Sequence, residues 1–227
     1  MIKTVIFDMD GVIVDTEPVH YHAYQQHFSE LKISVSDELY ATFTGNSTKN
    51  VFQKLKESFD ISDGVESLVE RKRTLFNEAF DSKANLYLLE GVETLIAELH
   101  ENGIQLILAS SSAKVTIDRI FNRFKLHRYF THIVSGEDFP KSKPDPAIFE
   151  MAVSLSIAPK HECIVIEDST NGIRAAKAAG LYCIGYDSEH SKMQDLSEAD
   201  KVVRNFNELY FDAIKSILMA QLSSASL

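Results

Sequence analysis

"TVIFDMDGVIVDTEP", residues 4–18, decides how the rest of the chain is read. Thr4 leads into Val5, Ile6 and Phe7, and the apolar run then meets Asp8, Asp10 and Gly11. A short, continuous apolar run suits a strand covered on both faces, as in a parallel sheet. Two carboxylates at the end of such a strand repel each other, so they need a cation or a protein partner close by.

Similar runs recur at 105–109, 132–134, 163–166 and 182–186, alternating with helical patterns at 92–101, 114–124, 147–155 and 172–179. That alternation predicts right-handed crossovers and an α/β fold with a doubly wound parallel sheet. From 17 to 85 no strand is expected, only amphipathic helical patterns at 19–28, 50–59 and 65–80. The expected organisation is therefore a discontinuous core, residues 1–16 and 86–227, with a helical insert at 17–85. Short linkers near Thr16 and Tyr87 would let the insert hinge. Asp145 should cap a helix with Pro146 at its first position, Gly180 should follow the end of another, and residues 223–227 should form a frayed tail.

Composition narrows the function. The chain has 227 residues, 44% hydrophobic and 25% charged, with a formal net charge of −10. Such acidity argues against nucleic acid or an anionic membrane as partner. No apolar run approaches spanning length, and the amino-terminal run is too short for an export signal, so the cytoplasm is the expected compartment. Cys163 and Cys183 each sit in a strand-like run and are expected as buried free thiols.

Polar residues gather at the ends of the strand-like runs: Asp8 and Asp10, then Ser110, Ser111 and Ser112, then Lys143, then Glu167 and Asp168. In an open parallel sheet, ligands bind beyond the carboxyl ends of the strands, so one crevice should collect all four groups. Oxygen donors without clustered His or Cys point to Mg²⁺. Serines opening a helix form an anion cradle, and Pro144 keeps Lys143 in extended backbone. Asp8 could then attack phosphorus to give an aspartyl-phosphate, Asp10 could serve as acid and base, and Lys143 could stabilise the transferring group. Each group alone has an ordinary structural explanation, such as a helix cap or a solvated lysine; their joint occurrence carries the reading.

"DMDGV", "ASSS", "KPDP" and "IEDS", in that order, resemble the four motifs of the haloacid dehalogenase-like hydrolase superfamily. "FDMDGVIVDTEPVH", with a helical insert behind it, is similar to the β-phosphoglucomutase and sugar-phosphatase branch, which implies a Rossmann-like core under a small α-helical cap domain. The resemblance implies Asp8 as nucleophile, Asp10 as acid/base and Lys143 as the motif lysine. It also implies Ser110 on the phosphate, with N–H groups of Met9, Asp10 and Ser111 beside it. Mg²⁺ would be held by Asp8, Asp168 and the Asp10 carbonyl, with Glu167 assisting. In the insert, Thr16, His20 and Lys72 match residue types that contact substrate in β-phosphoglucomutase, although Lys72 in "ERKR" also fits a solvated basic patch. Thr48 stands where the mutase has an arginine for the distal phosphate, with Lys49 beside it. The expected activity is a monomeric, Mg²⁺-dependent phosphatase of small phosphorylated metabolites, most readily sugar phosphates. The alternatives are a β-phosphoglucomutase-like mutase and a non-catalytic phosphometabolite-binding protein.

Overall fold

A computed structural model describes residues 1–84, 86–189 and 192–224, without the side chains from 218 onward. Its centre is a six-stranded parallel sheet in the order β3-β2-β1-β4-β5-β6. The strands are β1 (Thr4–Phe7), β2 (Gln105–Ser110), β3 (Phe130–Ser135), β4 (Cys163–Glu167), β5 (Tyr182–Tyr186) and β6 (Lys201–Val203). β1 pairs with β2 on one side and β4 on the other. The chain reverses its direction of travel across the sheet at this point, which is where an α/β sheet opens a crevice. Every residue of β1, β2 and β4 is buried, as their unalternating sequences require.

Helices α1 (Glu17–Leu31), α2 (Asp37–Ala41), α3 (Thr48–Phe59) and α4 (Val65–Ser82) lie between β1 and β2. Tyr24, Phe28, Phe43, Phe52, Leu55 and Leu68 give this insert a core of its own. The base of α1 and α4, through Val19, Leu75, Phe76 and Phe80, joins the core that packs on the sheet. α3 begins at a good cap, Ser47, whose Oγ accepts from Asn50 N at 3.3 Å. The two chain crossings lie side by side: Val14 bridges Leu88, and Leu89 N–H donates to Ile13 O at 3.0 Å.

The remaining helices are α5 (Val92–Glu101), α6 (Lys114–Phe124), α7 (Ala147–Ser154), α8 (Thr170–Ala178) and α9 (Phe211–Ser224). Asp145 Oδ1 accepts from Ala147 N at 3.1 Å, and Pro146 already has helical angles, so the expected cap is present one residue ahead of the assigned start. Gly180 follows α8 at φ +70. Three elements depart from the sequence expectation. β6 is only three residues long, α2 five, and α9 has only a weak amphipathic pattern; each is too weakly patterned to stand out. The tail expected at 223–227 starts inside α9, and residues 225–227 lie outside the described residues. Cys163 and Cys183 are both free and buried. No helix among the described residues is long and apolar enough to cross a membrane.

Candidate active site

The turn after β1 places the first two acids. Gly11 has φ +81, and a Cβ there would come within 2.1 Å of Asp168 Oδ2, so only glycine fits between the two acidic segments. Within the turn, the N–H groups of Gly11, Val12, Ile13, Val14 and Thr16 donate to main-chain oxygens, whereas among the described residues no main-chain oxygen accepts from those of Met9 and Asp10. Met9, expected at the phosphate, is fully buried and does not line the chamber described below.

Lys143 is the centre of the site. Its side chain is wholly buried, and Nζ donates to Asp8 Oδ1 at 2.5 Å, Glu167 Oε1 at 2.8 Å and Ala109 O at 3.1 Å. Burial works against its positive charge, but Asp8 and Glu167 outweigh it and raise its pKa. Burial also pushes the Asp8 carboxyl up to about 8 against the pull of Lys143, with Glu167 and Asp10 adding to the rise.

Glu167, expected to assist at the cation, has both oxygens committed elsewhere. Besides the lysine contact, its Oε2 accepts from Ser169 N at 2.8 Å and Ser169 Oγ at 2.9 Å. Gly172 makes room for this, since a Cβ there would lie 1.7 Å from Glu167 Oε1. In the chain without metal Glu167 thus serves Lys143 and Ser169. Asp168 is the opposite case: it is buried, its Oδ2 has no hydrogen-bond partner, and burial followed by the charge of Glu167 and Asp8 raises its pKa well above the ordinary range.

These facts test whether a divalent cation fits. If ionised, Asp8, Glu167 and Asp168 have one ammonium among them, which leaves two negative charges uncompensated in a buried place. An orphaned carboxylate oxygen and oxygen-only donors suit a hard dication. No group of three or more His, Cys, Asp or Glu side chains among the described residues forms a metal cluster.

Asp10 is held as a carboxylate. Oδ1 accepts from the Thr16 hydroxyl and lies 3.3 Å from His20 Nε2, and Oδ2 accepts from Ser112 Oγ at 2.8 Å. Burial opposes the charge, but His20 and the three hydrogen bonds bring its pKa down to about 2. Lys72 Nζ meets His20 Nδ1 at 2.6 Å and lies 4.6 Å from the Tyr24 ring centroid. Burial and then Lys72 lower the His20 pKa against the pull of Asp10, and the two ring nitrogens lie between the Lys72 ammonium and the Asp10 carboxylate. Lys72 is buried with its own pKa lowered to about 8, chiefly by burial, which rules out the solvated-patch reading for this residue. Its neighbours Arg71 and Arg73 pair instead with Glu30 and Glu137.

A small chamber of about 60 Å³ lies between insert and sheet, walled by Asp8, Asp10, His20, Lys72, Ser112 and Asp168 among others. It joins a cleft of about 400 Å³ through residues common to both, His20, Thr48, Lys72, Ser111 and Ser112. Ser110 and Lys143 do not line the chamber. Ser110 is fully buried and its Oγ accepts from Ser112 N at 3.1 Å, shaping the loop. Ser111 Oγ donates to Gly45 O at 2.7 Å and so ties the insert down. Asn50 to Ser142 at 2.8 Å and Asn171 to Thr44 O at 2.8 Å add to that docking.

Sequence reasoning missed the Ser112–Asp10 contact and the presence of Glu17, Tyr24 and Asn46 in the chamber. Ser112 was visible only as part of a serine run, and Glu17 only as an acid at a helix start, which is ordinary there.

Known proteins resemble this chain in sequence and fold. The family model for haloacid dehalogenase-like hydrolases matches residues 5–186. A phosphorylated carbohydrates phosphatase of Thermotoga maritima is 30% identical over 95% of this chain and all of its own. A β-phosphoglucomutase of Bacillus subtilis is 30% identical over 93% of each chain. The crystal structure of CbbY from Rhodobacter sphaeroides in complex with phosphate has a TM-score of 0.84 at 25% identity, over 95% of this chain and 100% of that one. The chain belongs to the haloacid dehalogenase-like hydrolases, in the branch of the β-phosphoglucomutases and sugar phosphatases.

Proposed function

We propose that the chain is a Mg²⁺-dependent phosphatase of small phosphorylated carbohydrates, working in the reducing cytoplasm through an aspartyl-phosphate on Asp8. The observation that supports it most is the different support given to two carboxylates on one chamber wall. Asp8 is anchored by a buried lysine, and Asp10 by Thr16, His20 and Ser112.

In the first step Asp8 attacks phosphorus. The bond to the leaving oxygen breaks, and that oxygen takes a proton from Asp10, which is ionised in the ligand-free site and must first take up that proton as the anionic substrate enters. In the second step Asp10 takes a proton from water, which attacks the acyl phosphate, releasing phosphate and restoring Asp8. Lys143 holds Asp8 in place and balances its charge. Asp8, Asp168 and the Asp10 carbonyl would hold Mg²⁺, which would supply positive charge to stabilise the transferring phosphoryl group. A panel of phosphate esters assayed with Mg²⁺ and with chelator tests the whole reading. Metal-dependent hydrolysis of sugar phosphates is expected; full activity in chelator contradicts it.

A separate expectation concerns stability. Asp8 and Asp168 have raised pKa values in the folded chain. The stability they confer is present below their unfolded values and is lost as pH rises through the folded ones. The metal-free protein should therefore weaken between about pH 5 and 8. Mg²⁺ should reverse this, raising Tm by about 5–10 °C at a hundredfold excess over Kd. The rise should grow with pH, because binding displaces protons. Asp168→Asn should stabilise the metal-free protein at pH 8 and remove most of the Mg²⁺ response. Scanning calorimetry at pH 6 and 8 measures both.

The mutase reading is set apart by Thr48, which opens α3 and faces both cavities. A mutase must retain a bisphosphate while it turns round, and a bidentate arginine does that better than threonine. Phosphate release should therefore exceed glucose 6-phosphate formation from β-glucose 1-phosphate. Thr48→Arg should tighten sugar bisphosphate binding by about tenfold or more and slow net hydrolysis. Isomerisation exceeding hydrolysis in the unmodified protein, with a bisphosphate primer present, would favour the mutase and assign the arginine's task to Lys49.

A further inference from the structure

The carboxylates in and beneath the chamber have tasks, with one exception. Asp8 and Glu167 share Lys143, Asp10 takes three hydrogen bonds, and Asp168 has the character of a cation ligand. Glu17 also lines the chamber, and among the described residues no hydrogen bond or ion pair reaches its carboxylate. It is the first residue of α1, directly after Thr16, whose hydroxyl bonds Asp10. It is therefore fixed to the same turn that places the acid/base.

Burial raises the Glu17 pKa to about 7, the charge of Asp10 adds to the rise, and Lys72 offsets part of it. Glu17 is half-buried at the chamber wall, and a carboxylate there with no hydrogen-bond partner among the described residues is a candidate for ligand recognition. Its chemistry selects the ligand. An ionised carboxylate only accepts hydrogen bonds, so it needs donors and repels anions. With the phosphate end committed to Asp8 and its surroundings, what remains for Glu17 is the leaving group.

Building on the phosphatase reading, we infer that Glu17 is a specificity residue that accepts hydrogen bonds from hydroxyls of the leaving group, favouring a neutral polyol over a leaving group that lacks hydroxyls or carries a second phosphate. The Tyr24 and Tyr40 rings, Thr48 and Asn46 complete the wall around it. Together they offer apolar faces and short polar groups, which suits a sugar ring.

The competing role for Glu17 is a structural one, an acid in the first turn of a helix that favours the helix dipole. The two roles separate in one experiment. Unmodified protein, Glu17→Gln and Glu17→Ala are assayed with Mg²⁺ on glucose 6-phosphate, ribose 5-phosphate, fructose 1,6-bisphosphate and p-nitrophenyl phosphate, which has no hydroxyls. Thermal melts are recorded for each. Glu17→Ala should lower kcat/KM on the better sugar monophosphate by about 10–100-fold while changing p-nitrophenyl phosphate by less than about threefold. Glu17→Gln, which keeps an acceptor, should lose less. Both should narrow the preference for monophosphate over bisphosphate, and both should melt at or above the unmodified protein at pH 8. Equal losses on all esters, or none, overturn the inference while leaving the phosphatase reading intact. Absence of turnover on every ester by the unmodified protein overturns the phosphatase reading, and the inference falls with it.

Discussion

Asp8→Asn is expected to abolish turnover, by on the order of 10⁴-fold or more, with the fold unchanged. An amide is a very poor nucleophile towards phosphorus, so the loss should fall on kcat whatever the ester. The fold should survive because asparagine has the same shape, and Lys143 keeps Glu167 and the Ala109 carbonyl as partners. Removing a carboxyl whose folded pKa is raised should even stabilise the metal-free protein at pH 8. Steady-state assays, with mass spectrometry to exclude deamidation, measure the first effect, and thermal melts the second. Near-normal turnover by intact Asp8→Asn would remove the nucleophile from the mechanism.

Lys143→Met should show the reverse pairing, losing activity and stability together. Methionine fills the space next to Phe149, whose ring centroid is 4.9 Å from Lys143 Nζ, but it leaves Asp8 and Glu167 buried without their cation. Breaking a buried pair in this way costs about 3–5 kcal/mol. Asp8 can escape by protonating, since its folded pKa, already raised, would rise further without the lysine. The deficit should therefore be smaller at pH 5 than at pH 8, and Mg²⁺ should recover part of it. Urea denaturation at the two pH values reads this directly. The rate should fall by about 10²–10³-fold from lost charge stabilisation alone. A variant as stable as the parent at pH 8 would mean that the lysine does not hold the site together.

Much of this site was legible because the acids and the lysine interrupt patterns that packing would otherwise complete. Asp8 ends a run of fully buried residues, and Glu167 ends another, so each stood out against its own strand. The alternation implied a parallel sheet but not its strand order, and it is the order in the structure that brings their ends together. What the sequence did not disclose was direction. Nothing in "IEDS" distinguishes the acid that turns to Lys143 from the one left without a partner; that depends on Gly172 opening space under α8. Lys72 shows the same limit. Inside "ERKR" three cations look alike, and only the packing of α4 on α1 buries the middle one against His20 and Tyr24 while its neighbours find surface acids. Glu17 was hidden by its setting, since an acid in a first helical turn needs no further explanation. β6, α2 and α9 were missed because three or five residues, or a long helix with only a weak amphipathic pattern, give too little periodic signal.

The claim on which the rest depends is that the phosphoryl group passes through Asp8. Acid quenching during turnover of a sugar phosphate, followed by digestion and mass spectrometry, tests it most directly. The account predicts a phosphoryl group on the peptide carrying residues 4–18, assigned to Asp8 by fragmentation, cleaved by hydroxylamine and absent from Asp8→Asn. Steady turnover with no such adduct, or with the phosphoryl group on a different residue, would contradict it.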